Sequence, residues 1–394
     1  MTLETMDHDY VLATYARDYT NFVRGEGSTL YADDGRDFID FGSGIGVNSV
    51  GHNHPELADA LCDQAHKILH ISNLQVIEPQ AKLARRMVEL SGYDMRVFFG
   101  NSGAEANEAA IKIARKYGET HFEKKRFKVI TLKNSFHGRT ITTVKATGQG
   151  KFHTPFFAPY PDGFSYEPAI EAIYDALDDE TVAVMLELVQ GEGGVHPLDK
   201  AAVQDLARHL KAQGILLIID EVQTGIYRTG KFLASQLYGI EPDIITLAKG
   251  LGGGVPIGAA MTRLKDIFSP GDHGSTFGGN YLSTRAGLTV LDVLERMDNA
   301  GELAQTQLLF EEKLSEVMSR HSDLFEDSVG LGLMRGLRAR DAKTQVAIID
   351  AAFAAGVIVL KAGRNTVRFL PSLTITSDEI TEGFDRFEKA LHTL

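Results

Sequence analysis

Two polar side chains follow two apolar segments of strand length. Asp220 ends the run over residues 214–220, and Lys249 follows the run over residues 243–248. Near-continuous apolar strands are typical of a sheet that helices cover on both faces, and the ligands of such sheets bind at the carboxyl ends of the strands. A carboxylate and an amine at two strand ends can therefore face one ligand.

These side chains suit one type of ligand. An amine can hold an aldehyde as an imine, and a carboxylate can keep a ring nitrogen protonated. A third strand end adds an anion site, because residues 100–105 open a predicted helix and Ser102 and Glu105 have the spacing of a capping box. Together the three features predict a pyridoxal 5'-phosphate (PLP) site. Taken singly, an ordinary capped helix or a surface lysine explains each of them.

Composition narrows the class of protein. The 394 residues are 43% hydrophobic and 24% charged, which predicts a folded core rather than disorder. A net charge of −13 argues against nucleic-acid or anionic-membrane partners, since phosphate contact needs clustered Lys and Arg. The single cysteine, Cys62, excludes an intrachain disulfide. No apolar leader or membrane-length run is visible, so we expect a cytoplasmic protein.

Alternating strands and helices predict an α/β fold. The central part reads as strands over 96–99, 128–132, 182–188, 216–220 and 244–247, with helices over 103–117 and 200–213 and a long loop over 134–166. Strands over 29–32 and 38–41 and helices over 55–69 and 79–90 precede it. A helical stretch over 283–321, strands over 333–337, 357–361 and 367–370, and helices over 345–355 and 377–391 follow it.

This order predicts a large domain with a mostly parallel sheet and a smaller α+β domain. We place the large domain at residues 51–285 and the small one at 286–394, with 1–50 contributing strands to the small domain.

Three other patterns suggest alternatives. Residues 225–231 resemble a Walker A loop and 218–221 a Walker B strand, but Phe232 stands where a Mg²⁺-binding Ser or Thr is required. Cys62, His66 and His70 recur at four-residue spacing, which is more typical of a helix surface than of a metal site. We therefore predict no metal. No G-x-G-x-x-G or G-x-S-x-G motif supports a dinucleotide site or a hydrolase.

The chain resembles the class III (subgroup II) PLP-dependent aminotransferases along nearly its whole length. The resemblance rests on a set of segments: residues 43–48, 51–52, 101–103, 136–140, 190–194, 220–225, 228–231, 242–243, 248–254 and 274–280. It implies a PLP-dependent transferase of fold type I. Within the class, the compact length and residues 43–48 look most like the acetylornithine aminotransferases of arginine biosynthesis.

The resemblance implies cofactor contacts. Lys249 would bind the aldehyde and move the substrate's proton, and Asp220 would pair with the ring nitrogen. Phe136 would stack on the ring and Gln223 would bond its oxygen. Ser102, Gly103, Ala104 and His137 would complete the site, and Thr276 would reach the phosphate from the second subunit of a homodimer.

The resemblance also implies substrate contacts. Arg139, assisted by Ser275, would bind the carboxylate of acetylornithine or the distal carboxylate of glutamate. Arg368 would bind the α-carboxylate of glutamate through two hydrogen bonds. Acetylornithine has no carboxylate beside its reacting amine, so Glu192 would pair with Arg368 in that half-reaction and swing aside for glutamate.

The implied reaction transfers the δ-amino group of N-acetylornithine to 2-oxoglutarate. Ornithine, succinylornithine, succinyldiaminopimelate and 4-aminobutyrate are alternative amine donors. The chain departs from the family pattern at Ala104, Leu188 and Tyr227, where threonine, proline and glycine are usual.

Overall fold

The computed structural model describes residues 1–394. The N-terminal elements are α1 (Leu3–Tyr10), β1 (Phe22–Glu26), β2 (Thr29–Ala32), β3 (Asp37–Asp40), the short turn α2 (Ser43–Gly46), α3 (Pro55–Ala65) and α4 (Glu78–Ser91). The central elements are β4 (Arg96–Gly100), α5 (Gly103–Thr120), β5 (Lys128–Leu132), α6 (Ile141–Ala146), β6 (Phe164–Glu167), α7 (Ile170–Ala176), β7 (Thr181–Leu186), β8 (Val189–Gln190), β9 (His196–Pro197), α8 (Lys200–Gln213), β10 (Leu216–Asp220), α9 (Ala234–Tyr238), β11 (Ile244–Leu247) and β12 (Gly258–Thr262). The C-terminal elements are α10 (Tyr281–Asn299), α11 (Glu302–Arg320), β13 (Phe325–Leu331), β14 (Met334–Ala339), α12 (Ala342–Ala354), β15 (Val357–Ile358), β16 (Leu360–Ala362), β17 (Thr366–Phe369) and α13 (Ser377–Leu391).

A seven-stranded sheet with the order β4-β12-β11-β10-β7-β5-β6 forms the centre of the molecule. Strand β12 runs antiparallel to β11 and β4, and the remaining pairs are parallel. The predicted α/β fold with a mostly parallel sheet is therefore confirmed. Its parallel strands bring their carboxyl ends to one edge, where β10 ends at Asp220 and β11 is followed by Lys249.

Helices cover both faces of the sheet because the strand residues alternate between two apolar layers. Leu216 and Ile218 pack with residues of α5 on one face, such as Ala110 and Ile113. The intervening Leu217 packs on the other face with residues of α7 and α8. This burial on both faces explains why β10 has a continuous apolar sequence instead of an alternating one.

Two smaller sheets flank the central one. Their strand orders are β1-β2-β3-β15 and β13-β14-β17-β16. The C-terminal strand β15 pairs in parallel with β3, through Val357 and Ile39, so N-terminal and C-terminal segments share one sheet. Strand β17 carries Arg368. The domain limits at residues 50 and 285 stay a prediction.

Two predicted helices have different limits in the structure. Helix α3 ends at Ala65, so His70 lies beyond it and does not share a helix face with Cys62. The helical stretch over 283–321 is two helices, because Gly301 at φ +75° interrupts it between α10 and α11. None of the helices combines the length and the apolar character that a membrane span requires.

Candidate active site

Asp220 lies in a buried network of donors at the end of β10. Its Oδ2 accepts hydrogen bonds from Asn107 Nδ2 and His137 Nδ1, both at 2.8 Å. Its Oδ1 accepts the Val222 backbone N–H at 3.0 Å. Asp220 is only 4% exposed, so these donors replace the water that an ionised carboxylate needs. The carboxylate is thereby fixed in one orientation.

Lys249 begins a short 3-10 turn, Lys249–Gly252, which Ala248 joins to the end of β11. Its backbone φ is +43°, a region uncommon for residues other than glycine. The Ser49 hydroxyl donates to the Gly250 carbonyl at 2.6 Å and so fixes this turn. Burial, followed by the positive charge of Arg368, lowers the pKa of Lys249. The amine is therefore easier to deprotonate than an ordinary lysine.

The turn before α5 offers backbone donors. Ser102 caps the helix by accepting the Glu105 N–H at 3.2 Å. The predicted capping box forms only in part, because Glu105 Oε2 instead accepts the backbone and side-chain N–H groups of Asn101, at 2.6 and 2.8 Å. Gly103 and Ala104 occupy the first turn, where amides have no intrahelical acceptor. These free amides suit an anion.

One cavity of about 410 Å³ connects these three strand ends. Lys249 and Asp220 both line it, so the structure brings the two residues together. Eight other predicted site residues also line it: Ser102, Gly103, Ala104, Phe136, His137, Arg139, Glu192 and Gln223. Cavities of this size are typical of small-molecule and cofactor sites.

Arg368 does not line the cavity itself, but it donates hydrogen bonds to two residues that do. Its Nη1 donates to Glu192 Oε1 at 2.6 Å and to Gln223 Oε1 at 3.3 Å. The side chain of Arg368 is 3% exposed, whereas that of Glu192 is 33% exposed. Gly191 makes room for this arrangement, since a Cβ there would lie 2.2 Å from Gln223 Oε1. The pair joins a buried cation to a carboxylate that has room to move.

Ser275 and Thr276 do not line the cavity of their own chain. Ser275 Oγ accepts hydrogen bonds from the Gly278 N–H at 2.9 Å and from Asn101 Nδ2 at 3.1 Å. Thr276 is exposed at the surface. Within a single chain, neither Ser275 nor Thr276 therefore forms part of the cavity wall.

Sequence reasoning assigned no site role to several residues that line the cavity, among them three that pack around Asp220 and Phe136. They are Asn107, Glu187 in its role as an anchor, and Val222. Asn107 was detectable in principle, because it is the one polar residue among the buried residues of α5, which are otherwise alanine, isoleucine and glycine. Glu187 accepts the backbone N–H of Phe136 at 2.8 Å and that of Gly191 at 3.3 Å. No motif signals the contact with Phe136, since it joins residues 51 positions apart.

The Walker-like segments have another structural explanation. Glu221 is fully buried and accepts hydrogen bonds from the Thr224 hydroxyl and from the backbone N–H groups of Ala234 and Ser235, and thus caps α9. Lys231 is exposed. The structure contains no group of three His, Cys, Asp or Glu residues that could hold a metal ion.

Comparison with known proteins defines the class. The family model for class III aminotransferases matches residues 13–391. The chain thus belongs to the class III aminotransferases, which are PLP-dependent enzymes, and the nucleotide-binding alternative is wrong.

Similar proteins are named for related reactions. An acetylornithine aminotransferase from Wolinella succinogenes is 59% identical and covers 98% of this chain and 99% of that protein. The structure of N-acetylornithine aminotransferase from Stenotrophomonas maltophilia has a TM-score of 0.84 at 33% identity and covers 99% of both chains. Ornithine aminotransferase from Toxoplasma gondii, which has PLP at partial occupancy in its active site, has a TM-score of 0.93 at 31% identity and covers 99% of this chain and 93% of its own.

The residues present fit PLP. The cavity presents an amine on Lys249, a fixed carboxylate on Asp220, an aromatic ring on Phe136 and the free amides of Gly103 and Ala104. These groups correspond in kind to the aldehyde, the ring nitrogen, the ring face and the phosphate of the cofactor. The absence of a Thr hydroxyl at Ala104 leaves the phosphate contacts of this turn to the backbone and Ser102.

Proposed function

We propose that this enzyme transfers the δ-amino group of N-acetylornithine to 2-oxoglutarate in arginine biosynthesis. The products are N-acetylglutamate 5-semialdehyde and glutamate. The observation that carries the proposal is the 59% identity, over 98% of the chain, with an acetylornithine aminotransferase. The geometry of the cavity supports it, as follows.

Lys249 and Asp220 are the proposed catalytic residues. PLP, when bound, withdraws electrons from the substrate carbon that carries the amine, so that a proton can leave this carbon. Lys249 Nζ is the proposed base, and its lowered pKa supports this role because a base must be uncharged to accept a proton. Asp220 is already oriented by Asn107 and His137 to accept a hydrogen bond from a ring nitrogen.

Glu192 and Arg368 are proposed to sort the two substrates. Acetylornithine places an uncharged chain near Arg368, and a buried guanidinium without an anion is costly. Glu192 supplies that anion at 2.6 Å. Because Glu192 is partly exposed, it can swing out when the α-carboxylate of glutamate takes its place.

We further propose a homodimer that shares its two active sites, with Thr276 serving the partner's phosphate site. The support is a patch of exposed apolar residues beside Thr276: Leu74, Val76 and Phe277 are 89%, 87% and 59% exposed. Asn73 Nδ2 ties the two segments together by donating to the carbonyls of Ser275 and Gly278. Exposed apolar patches of this kind are typical of interfaces. The cytoplasmic location stays a prediction.

Ornithine is the second candidate substrate, because the chain also resembles the Toxoplasma gondii ornithine aminotransferase. The test is kcat/KM of the holoenzyme for N-acetylornithine, ornithine and 4-aminobutyrate with 2-oxoglutarate as acceptor. We expect kcat/KM for N-acetylornithine to exceed that for the other two amines by at least about tenfold. The reason is that a substrate which leaves a charged group unpaired in a desolvated site is strongly disfavoured. A higher value for ornithine or 4-aminobutyrate would contradict the proposal.

A second test of the proposed function uses the variant Arg368→Ala. It should slow the glutamate half-reaction more than the acetylornithine half-reaction, because only glutamate is proposed to use this guanidinium. Equal loss in both half-reactions would refute the role of Glu192 and Arg368 in sorting substrates.

A further inference from the structure

Arg139 is held at the mouth of the cavity by aromatic rings. Its side chain is exposed, and no carboxylate of the chain pairs with it. The guanidinium carbon lies 4.0 Å from the ring centroid of Phe152 and 5.5 Å from that of Phe136. A guanidinium is weakly hydrated on its faces and stacks on aromatic rings, while its N–H donors point outward from its edge. Stacking therefore leaves the donors of Arg139 free.

Phe152 is itself fixed on two sides. It ends the 3-10 turn Gly150–Phe152, and Gln149 Nε2 ties this turn to the carbonyl of Ser135 at 3.2 Å. The ring of Phe152 meets the ring of Phe136 edge to face, with centroids 5.9 Å apart and an interplanar angle of 75°. Because Phe136 lines the cavity, the position of Phe152 is coupled to the wall of the cofactor site.

We propose that Phe152 is a positioning residue that sets the preference of this enzyme for amine donors with a remote carboxylate. Its ring holds the guanidinium of Arg139 in one plane, with the N–H edge directed at the carboxylate of the donor. The inference rests on the proposed function, in which Arg139 binds this carboxylate. Phe152 itself does not line the cavity, so it acts through Arg139.

Loss of the ring has a specific consequence. Without it, the long side chain of Arg139 samples several rotamers in water, and binding must then restrict them. The affinity of the variant for the amine donor should therefore fall. The rate at which the bound donor reacts should stay close to that of the wild type. A donor without a carboxylate makes no use of Arg139 and should lose much less.

The test uses the holoenzyme and one amine donor at a time, without 2-oxoglutarate, and follows the cofactor absorbance. Phe152→Leu should weaken apparent affinity for N-acetylornithine about fivefold, the factor that corresponds to one exposed cation–π contact. Phe152→Tyr keeps a ring and should stay within about twofold of the wild type. Pentylamine, which has no carboxylate, should react with both variants at nearly the wild-type second-order rate constant for this single half-reaction.

Lys151→Ala is the matched control. Lys151 Nζ also lies over the Phe152 ring, at 4.9 Å, but on an exposed residue that does not line the cavity. This variant should leave the donor preference unchanged. Equal losses on N-acetylornithine and pentylamine in Phe152→Leu, or no loss on either, would overturn the proposal.

Failure of the proposed function gives a different result. If the wild-type holoenzyme ignores N-acetylornithine but reacts with 4-aminobutyrate, the reaction assignment fails, and the same comparison is made with 4-aminobutyrate against pentylamine. If it reacts with no carboxylate-bearing amine, both proposals fall.

Discussion

Glu187 adds a second carboxylate to the buried polar cluster around Asp220. It is 7% exposed and anchors the backbone of Phe136 and Gly191. Burial, followed by the nearby charge of Asp220, raises the pKa of Glu187 to about 7, and His137 opposes this shift. A protonated Glu187 keeps its carbonyl oxygen as an acceptor, and it relieves the repulsion between two buried carboxylates.

The raised pKa predicts a titration inside the folded protein. The folded state binds more protons than the unfolded state between pH 4.5, the ordinary pKa of Glu, and about pH 7, so this group makes the free energy of unfolding fall as pH rises through that window. In infrared difference spectra of apoenzyme, wild type minus Glu187→Gln should show a protonated carboxyl band that disappears with a midpoint near pH 7.

Glu78→Gln is the control for that titration. Glu78 is exposed, and a hydrogen bond from Lys82 lowers its pKa, so its difference spectrum should show no such band in this pH range. A Glu187 band that has already vanished by about pH 5 would contradict the effect of burial.

At the scale of the elements, the residues that specify the parallel sheet are readable from the sequence. The strand Leu216–Asp220 is a continuous apolar run bounded by Gly214, which ends α8 at φ +67°. The cap at Ser102 likewise marks the start of α5. These signals are local, and so they predicted both the strands and the edge where Asp220 and Lys249 meet.

Other elements depend on packing that no local pattern shows. Strand β12 (Gly258–Thr262) begins with glycine and two alanines, which are depleted in strands, and it forms because it fits between β11 and β4. A Cβ at Gly258 would lie 2.1 Å from the Ser102 carbonyl oxygen, so β12 also supports the anion turn. The predicted loop over 134–166 contains α6 and most of β6, for which the sequence reasoning likewise found no signal.

The residues of the candidate site differ in the same way: some were predictable from local sequence and others were not. Lys249 and Asp220 were predictable from strand ends, whereas the contact of Arg368 with Glu192 joins residues 176 positions apart, and only family resemblance suggested it. Phe152 had no signal at all, because its relation to Arg139 exists only in three dimensions.

At the scale of the whole molecule, shared active sites can be tested with mixed dimers. Lys249→Ala chains and Thr276→Asp chains should each have little activity, the latter because a carboxylate repels the partner's bound phosphate. In a heterodimer one site has Lys249 from one chain and Thr276 from the other. An equal mixture should therefore recover about a quarter of wild-type activity, since half of the dimers carry one intact site.

A mixture of Lys249→Ala and Asp220→Ala chains is the matched control. Both residues line the cavity of the same chain, so every site in this mixture is damaged and no recovery is expected. Absence of recovery in the first mixture as well would argue against a site completed by Thr276 of a second subunit.

The most direct measurement locates the cofactor on the chain. The holoenzyme is reduced with borohydride, digested, and the pyridoxyl group is mapped by peptide mass spectrometry. The geometry at the ends of β10 and β11 predicts the group on Lys249. A pyridoxyl group on another lysine, or its absence from Lys249 in an enzyme that still transaminates, would contradict the account.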